Sequence, residues 1–322
     1  MQLKHVKRDV VAAFAIGFSS LPAAVLVAQD AKPAEYTVSE CANCAEWNIP
    51  QRPFRVFGNT FYVGPHGLGA ILITSSRGHI LIDGALPGSA PQIAANIRAL
   101  GFRVEDVKLI LNSHPHFDHA GGIAYLQRVT GATVAASAAS AAVLERGSSG
   151  PDDPQYGQLL PFPAVRNVRI VQDGETVTVG PIALTAHFTP GHTRGGTTWS
   201  WNSCEGDRCF SIVYADSQTP ISALSFEFSR NTTYPSVLAD FERGFTVLDS
   251  LPCDILLTPH PGTSNMWERV AAREKGSEDA LAQPGGCKRY VAATRVQLAK
   301  RLAGEKKAAS DTVPLNKPSS GR

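Results

Sequence analysis

Between residues 113 and 122 the chain reads Ser113-His114-Pro115-His116-Phe117-Asp118-His119-Ala120-Gly121-Gly122, and no other run restricts so strongly what it can fold into. Three imidazoles and a carboxylate fall within the six residues from His114 to His119, together with a proline that cannot continue a helix. The preceding Val107-Lys108-Leu109-Ile110-Leu111-Asn112 is short, apolar and branched, which predicts a buried strand, and Ala120 to Leu126 opens a predicted helix. The cluster thus stands in a loop at the carboxyl end of a strand, where open α/β sheets place their ligands. Imidazole suits zinc, and that borderline cation accepts a carboxylate beside it. Four side chains this close in sequence cannot all serve one tetrahedral ion. Two adjacent ions are compatible with the spacing, His114 and His116 turning toward one and Asp118 and His119 toward the other. Without metal, such a cluster has no stabilising reason to form.

Further ligands are then expected at the ends of later strands. His192, in Thr189-Pro190-Gly191-His192-Thr193, follows the apolar run Ile182 to His187, and His260, in Pro259-His260-Pro261-Gly262, follows Ile255 to Leu257. Proline and glycine put both on turns. His5, His66, His79 and His187 share no such spacing and read as ordinary surface or core residues.

The rest of the chain predicts a layered α/β protein. Strand-like runs fall at 54–63, 70–74, 79–83, 107–111, 133–136, 168–171, 182–187, 197–201, 210–214 and 255–258, and helical patterns at 90–100, 123–130, 138–146, 237–250 and 288–303. Hairpins come first and strand–helix alternation follows, twice over, which predicts two similar halves with the site between them. Residues 147–163 are rich in Gly, Ser, Asp and Pro and read as a long surface loop, as do 224–235. From Gly304 the composition turns to Lys, Ser, Pro and Asp, and residues 304–322 are expected to be a disordered tail.

At the other end, Lys4, Lys7 and Arg8 precede an apolar stretch from Val10 to Ala28 interrupted by Gly17, Ser19, Ser20 and Pro22. That is the pattern of a secretory signal over 1–28 rather than of a membrane anchor, with cleavage near Ala24 or Ala28, followed by a segment over 29–47 and one catalytic domain over 48–303. Residues 4, 7, 8 and 9 together carry +2, the whole formal charge, so a chain trimmed of them is near neutral, with no surface for nucleic acid. Six cysteines suit an oxidising compartment. Cys204 and Cys209 bracket a short polar turn where a hairpin disulfide is easy, and Cys253 and Cys287 are placed to tie the last strand to the C-terminal helix. Cys41 and Cys44 form a C-x-x-C open to three readings: redox pair, half a zinc site or local disulfide. With no second C-x-x-C, the disulfide is favoured, and other connectivities remain open.

The run from His114 to His119 resembles the H-x-H-x-D-H signature of the metallo-β-lactamase superfamily. Thr189 to Trp199, Tyr214-Ala215-Asp216-Ser217 and Pro259-His260-Pro261-Gly262-Thr263-Ser264 are similar to subclass B3 more narrowly, over about residues 48–302. The resemblance implies a four-layer αββα sandwich and two zinc ions per chain, the first held by His114, His116 and His192 and the second by Asp118, His119 and His260. It implies a periplasmic enzyme, expected to be monomeric and free of the membrane once the signal is removed, that hydrolyses the amide of β-lactam antibiotics and so confers resistance. The nucleophile would be a hydroxide bridging the two zincs, since metal binding brings the pKa of water toward roughly 7. Asp118 and His116 would be the catalytic residues among the ligands. Ser217 stands where other subclasses place a cysteine ligand, and with Thr219 it would meet the substrate. Asp83, ending the strand His79 to Asp83, is expected to fix a ligating imidazole, or else to cap a turn. Other hydrolases of the same fold, acting on a lactone, thioester or phosphodiester, use an aspartate after the fourth strand to bridge both metals, and Asp216 would be that residue. Iron redox proteins of the fold replace the second histidine with glutamate, against which His116 stands.

Overall fold

The branched apolar runs become the strands of two sheets in the computed structural model, which describes residue 2 and residues 41–311. The signal segment expected over 1–28 and the tail after residue 311 lie outside the described residues. Strands β1 (Phe54–Phe57), β2 (Thr60–Tyr62), β3 (Ile71–Ile73), β4 (His79–Ile82), β5 (Val107–Leu111), β6 (Thr133–Ser137) and β7 (Arg169–Val171) follow one another across a seven-stranded sheet. It is antiparallel as far as β4 and parallel from β4 to β7. The second sheet runs β12 (Ile255–Leu257), β11 (Arg208–Tyr214), β10 (Thr197–Glu205), β9 (Ile182–Phe188) and β8 (Thr176–Val179), with only β11 and β12 parallel. The helices are α1 (Cys44–Trp47), α2 (Ala90–Ala99), α3 (Phe117–Ala120), α4 (Ile123–Thr130), α5 (Ala138–Arg146), α6 (Val237–Ser250), α7 (Met266–Glu274) and α8 (Gly286–Asp311).

Four layers follow from alternation along the strands. Leu72 and Leu81 point to one face, where they meet Ile93 and Ile97 of α2, Ile123 of α4 and Leu144 of α5. Their neighbours Ile71, Ile73, Ile80 and Ile82 point to the other face and pack on Leu184, Trp199 and Ile212 of the second sheet. Beyond that sheet, Val213 and Ala215 meet Phe241 and Phe245 of α6 and Tyr290 and Val291 of α8. The order helix, sheet, sheet, helix is the expected αββα sandwich. Each fully buried aliphatic or aromatic side chain contributes about 1.5–3 kcal/mol to holding it. Trp199 also ties the sheets by a hydrogen bond, its Nε1–H donating to Asn112 O at 3.1 Å.

All six cysteines are paired, Cys41 with Cys44, Cys204 with Cys209 and Cys253 with Cys287. Cys204 and Cys209 face each other in the β10–β11 register. Some expectations need correction. The run 54–63 is a hairpin and not one strand, because Gly58 turns at φ +52°, and a Cβ there would lie 2.5 Å from Ser203 Oγ. The short alternating run of β8 and the polar helix α7 were not expected; α7 buries only Met266 and Arg269, too few to leave an apolar stripe. The tail does not begin at 304. Helix α8 continues through Asp311 because buried Glu305 accepts from Phe228 N–H, Ser229 N–H and the Ser229 hydroxyl, which anchors the helix end to a distant loop.

Candidate metal centre

The polar residues singled out in the sequence come off the carboxyl ends of strands along one edge of the sandwich. His114 and His116 follow β5, and Asp118 and His119 lie in the single turn of α3. His192 sits between β9 and β10, Asp216 and Ser217 follow β11, and His260 follows β12. Two triads result. His114, His116 and His192 bring one ring nitrogen each to a common point, Asp118, His119 and His260 do the same, and within each set the ligand atoms lie within 4.8 Å of one another.

The second triad is nearly equilateral: Asp118 Oδ2 lies 3.2 Å from His119 Nε2 and 3.3 Å from His260 Nε2, and the two nitrogens are 3.2 Å apart. Tetrahedral coordination with bonds of about 2.0–2.1 Å has ligand atoms roughly 3.3 Å apart, so these spacings fit a shared zinc-sized cation. In the first triad the far nitrogens are already taken. His114 Nδ1–H donates to Asp216 Oδ1 at 2.8 Å, and His192 Nδ1–H to the Thr219 carbonyl at 2.8 Å. His116 Nε2–H donates to Asp153 Oδ2 at 2.9 Å. Each bond fixes a tautomer and leaves the opposite nitrogen as a lone-pair donor. His114 Nε2 is buried with no hydrogen-bond partner, as a nitrogen reserved for a cation would be. His119 presents Nε2 to its triad, and its Nδ1, also buried, has no hydrogen-bond partner.

Protonation follows from this packing. Burial, reinforced by the neighbouring imidazoles, holds His114 well below the usual histidine value, and burial with His116 nearby brings His192 down to about 3. Burial works the same way on His116, but the charge of Asp153 and the hydrogen bond to it outweigh burial and raise it. Burial would raise Asp118, yet His119 and His260 hold it well below the usual carboxylate range. Asp216 is the opposite case, pushed far up by burial.

Asp83 does not hold an imidazole. Its carboxylate accepts from Ser113 N–H (2.8 Å), the Ser113 hydroxyl (2.6 Å), Asn112 Nδ2 (3.1 Å) and the Tyr214 hydroxyl (2.8 Å). Donors from the loop after β5 and from Tyr214 of β11 fill its oxygens, so it shapes the backbone that delivers His114. Asp216 holds that imidazole instead, which also removes it from the ligand set. Gly196 makes room for it, since a Cβ there would lie 2.3 Å from Asp216 Oδ2. Ser217 is nearly buried, 7% exposed, and Thr219 holds His192 by its carbonyl with its hydroxyl 3.4 Å from the same nitrogen. Two residues escaped the sequence reading. Asp153 lies in the polar 147–163 loop, and the Trp47 ring stands 5.2 Å from the ring of His260. An isolated acid in a loop carries no spacing that would mark it.

Residues 69–204 match the family model of the metallo-beta-lactamase superfamily. The chain is similar to the solved structure of Rm3 metallo-beta-lactamase, 55% identical, covering 83% of this chain and 99% of that one with a TM-score of 0.81. It is also 50% identical to MEM-A1, a subclass B3 metallo-beta-lactamase from a soil metagenome library, over 81% of this chain and 99% of that one, TM-score 0.80. The chain belongs to subclass B3 of the metallo-β-lactamase superfamily. Like the metallo-β-lactamases it is similar to, it is a hydrolase. A more distant relative, acyl-coenzyme A thioesterase MBLAC2 of Gallus gallus, is 30% identical over 121 residues, 33% of this chain and 40% of that protein's length. In this B3 chain the aligned segment of the family model contains five of the six triad residues, His260 falling beyond it.

Proposed function

We propose that this chain hydrolyses the amide bond of β-lactam antibiotics with two zinc ions, one held by His114, His116 and His192 and the other by Asp118, His119 and His260, and that it does so in the periplasm. Two such cations would polarise the lactam carbonyl and bring the pKa of water toward neutrality. The protein's own groups do the rest. Asp118, kept ionised by His119 and His260, would hold the second ion with them and would orient the water that attacks. His116, tethered by Asp153, would present its Nδ1 to the first. Ser217 and Thr219 are the polar groups offered to the substrate carboxylate. No side-chain nucleophile is required. A small-molecule substrate suits two triads at the sandwich edge, and among the described residues no helix is long and apolar enough to cross a membrane.

The observation that favours a β-lactam over the other substrates handled by the fold is the commitment of Asp216 to His114 Nδ1 at 2.8 Å. An aspartate turned behind the ligands cannot bridge two metals, as the lactone, thioester and phosphodiester readings require. The test is a parallel assay of a chromogenic cephalosporin, a penicillin, an acyl thioester, a lactone and a phosphodiester. Turnover of the β-lactams by at least about 100-fold in kcat/KM over the others is expected; faster thioester or lactone cleavage would overturn the reading.

A further inference from the structure

Three consecutive residues, Asp152, Asp153 and Pro154, each bond to a different segment near the first triad. Asp153 Oδ2 accepts His116 Nε2–H at 2.9 Å while its Oδ1 accepts Gln155 N–H at 2.8 Å. Asp152 Oδ2 pairs with Arg194 Nε at 3.0 Å. Arg194, two residues beyond His192, also donates through Nη2 to Thr233 O at 3.0 Å and lies 4.2 Å from the centre of the Tyr234 ring. The Pro154 carbonyl accepts Ala223 N–H at 2.8 Å. That second loop is fixed in turn by α8: Arg301 Nη2 donates to Ser222 Oγ at 2.7 Å, and Glu305 takes the Phe228 and Ser229 amides. Beside the tripeptide is a cavity of about 140 Å³ lined by Arg146, Asp152, Asp153, Thr193 and Arg194, and the buried Thr193 hydroxyl has no partner. On that side specific bonds, and not close packing, determine where Asp153 stands.

We propose that Asp152-Asp153-Pro154 is a clamp coupling the two loops it joins, 147–163 and 219–235, to the metal affinity of the His114, His116 and His192 triad. Asp153 is the positioning residue and acts through His116. This rests on the metal-binding reading above. The Asp153 bond keeps the proton on His116 Nε2 and presents Nδ1, so any displacement of the tripeptide changes how well that nitrogen reaches the cation. Coupling is reciprocal: metal in this triad orders both loops, and whatever fixes the loops tightens metal binding.

The test is Zn²⁺ titration of the full chain against a chromophoric chelator, in a His260→Ala background that leaves only the first triad complete. Asp153→Ala is expected to weaken Zn²⁺ there 10- to 100-fold. Asp153→Asn, which keeps an acceptor without the charge and preserves shape should the alanine variant fail to fold, is expected to weaken it by about tenfold. Arg194→Ala touches no imidazole and is expected to weaken it about threefold, an effect that disappears when Asp153 is already alanine. The proposal is overturned if Asp153→Asn binds Zn²⁺ as tightly as its parent, if Arg194→Ala has no effect, or if that effect persists undiminished beside Asp153→Ala. A parent that binds no Zn²⁺ in either background would instead remove the metal-binding reading on which the clamp depends.

Discussion

His114 and His192 are held neutral by burial, His192 at about 3, so at neutral pH neither has a proton to surrender before a cation binds. What orients them is the acceptor behind each ring. Asp216→Ala should therefore lower first-triad metal affinity 10- to 100-fold in a chelator competition, although it removes no ligand; unchanged affinity would show that His114 is oriented without it. Asp118→Ala should lose one of two metal equivalents and more than about 100-fold in kcat, measured on the same preparation. The residues of the two triads were legible because they are bunched between residues 114 and 119 or framed by proline and glycine on turns. The residues behind them were not. Asp153 reaches His116 across 37 positions, and the choice between Asp83 and Asp216 as partner of His114 depends on which carboxylate the surrounding donors leave free.

At the scale of elements, the C-terminal helix anchors the 219–235 loop through Glu305 and Arg301. Its Glu305 is raised by burial, but Arg301 and the Ser229 and Phe228 donors outweigh that and hold it below its ordinary value of 4.5. A carboxylate depressed in the folded state stabilises above its unfolded value and ceases to do so as pH falls through the folded one. Glu305→Gln should cost about 1–3 kcal/mol of unfolding free energy at pH 7 by denaturant titration, and the gap to wild type should narrow as pH falls below 4.5. A gap independent of pH would mean that the charge is irrelevant. The disulfide between Cys253 and Cys287, which joins this helix to the turn before β12, closes a separation of 34 residues, and replacing both by serine should cost about 2–4 kcal/mol by the same measurement. Strong apolar runs such as β5 and amphipathic helices such as α6 were readable from period alone. The extension of α8 past 303 was not, since its last turns are polar on most faces and are held by a loop about 75 residues earlier.

Across the whole molecule, two sheets bring strand ends from both halves to one edge, as the repeated hairpin and strand–helix order foretold. Their junction is most exposed to failure at Trp199, fully buried between them and bonded to Asn112 just before His114. Trp199→Ala should cost about 3–5 kcal/mol and broaden the cleft, read as a fall in thermal midpoint together with weaker metal binding. Loss of stability with metal affinity intact would separate the core from the site. If two cations gripped by the triads on that edge make the chain a β-lactamase, metal stoichiometry and cephalosporin turnover must change together on one purified sample followed before chelation, after it and after zinc is returned. Two zinc ions per chain, activity lost with them and regained with them, are the expected result. Turnover that survives complete metal removal, or a folded protein that takes up no stoichiometric zinc, would contradict it.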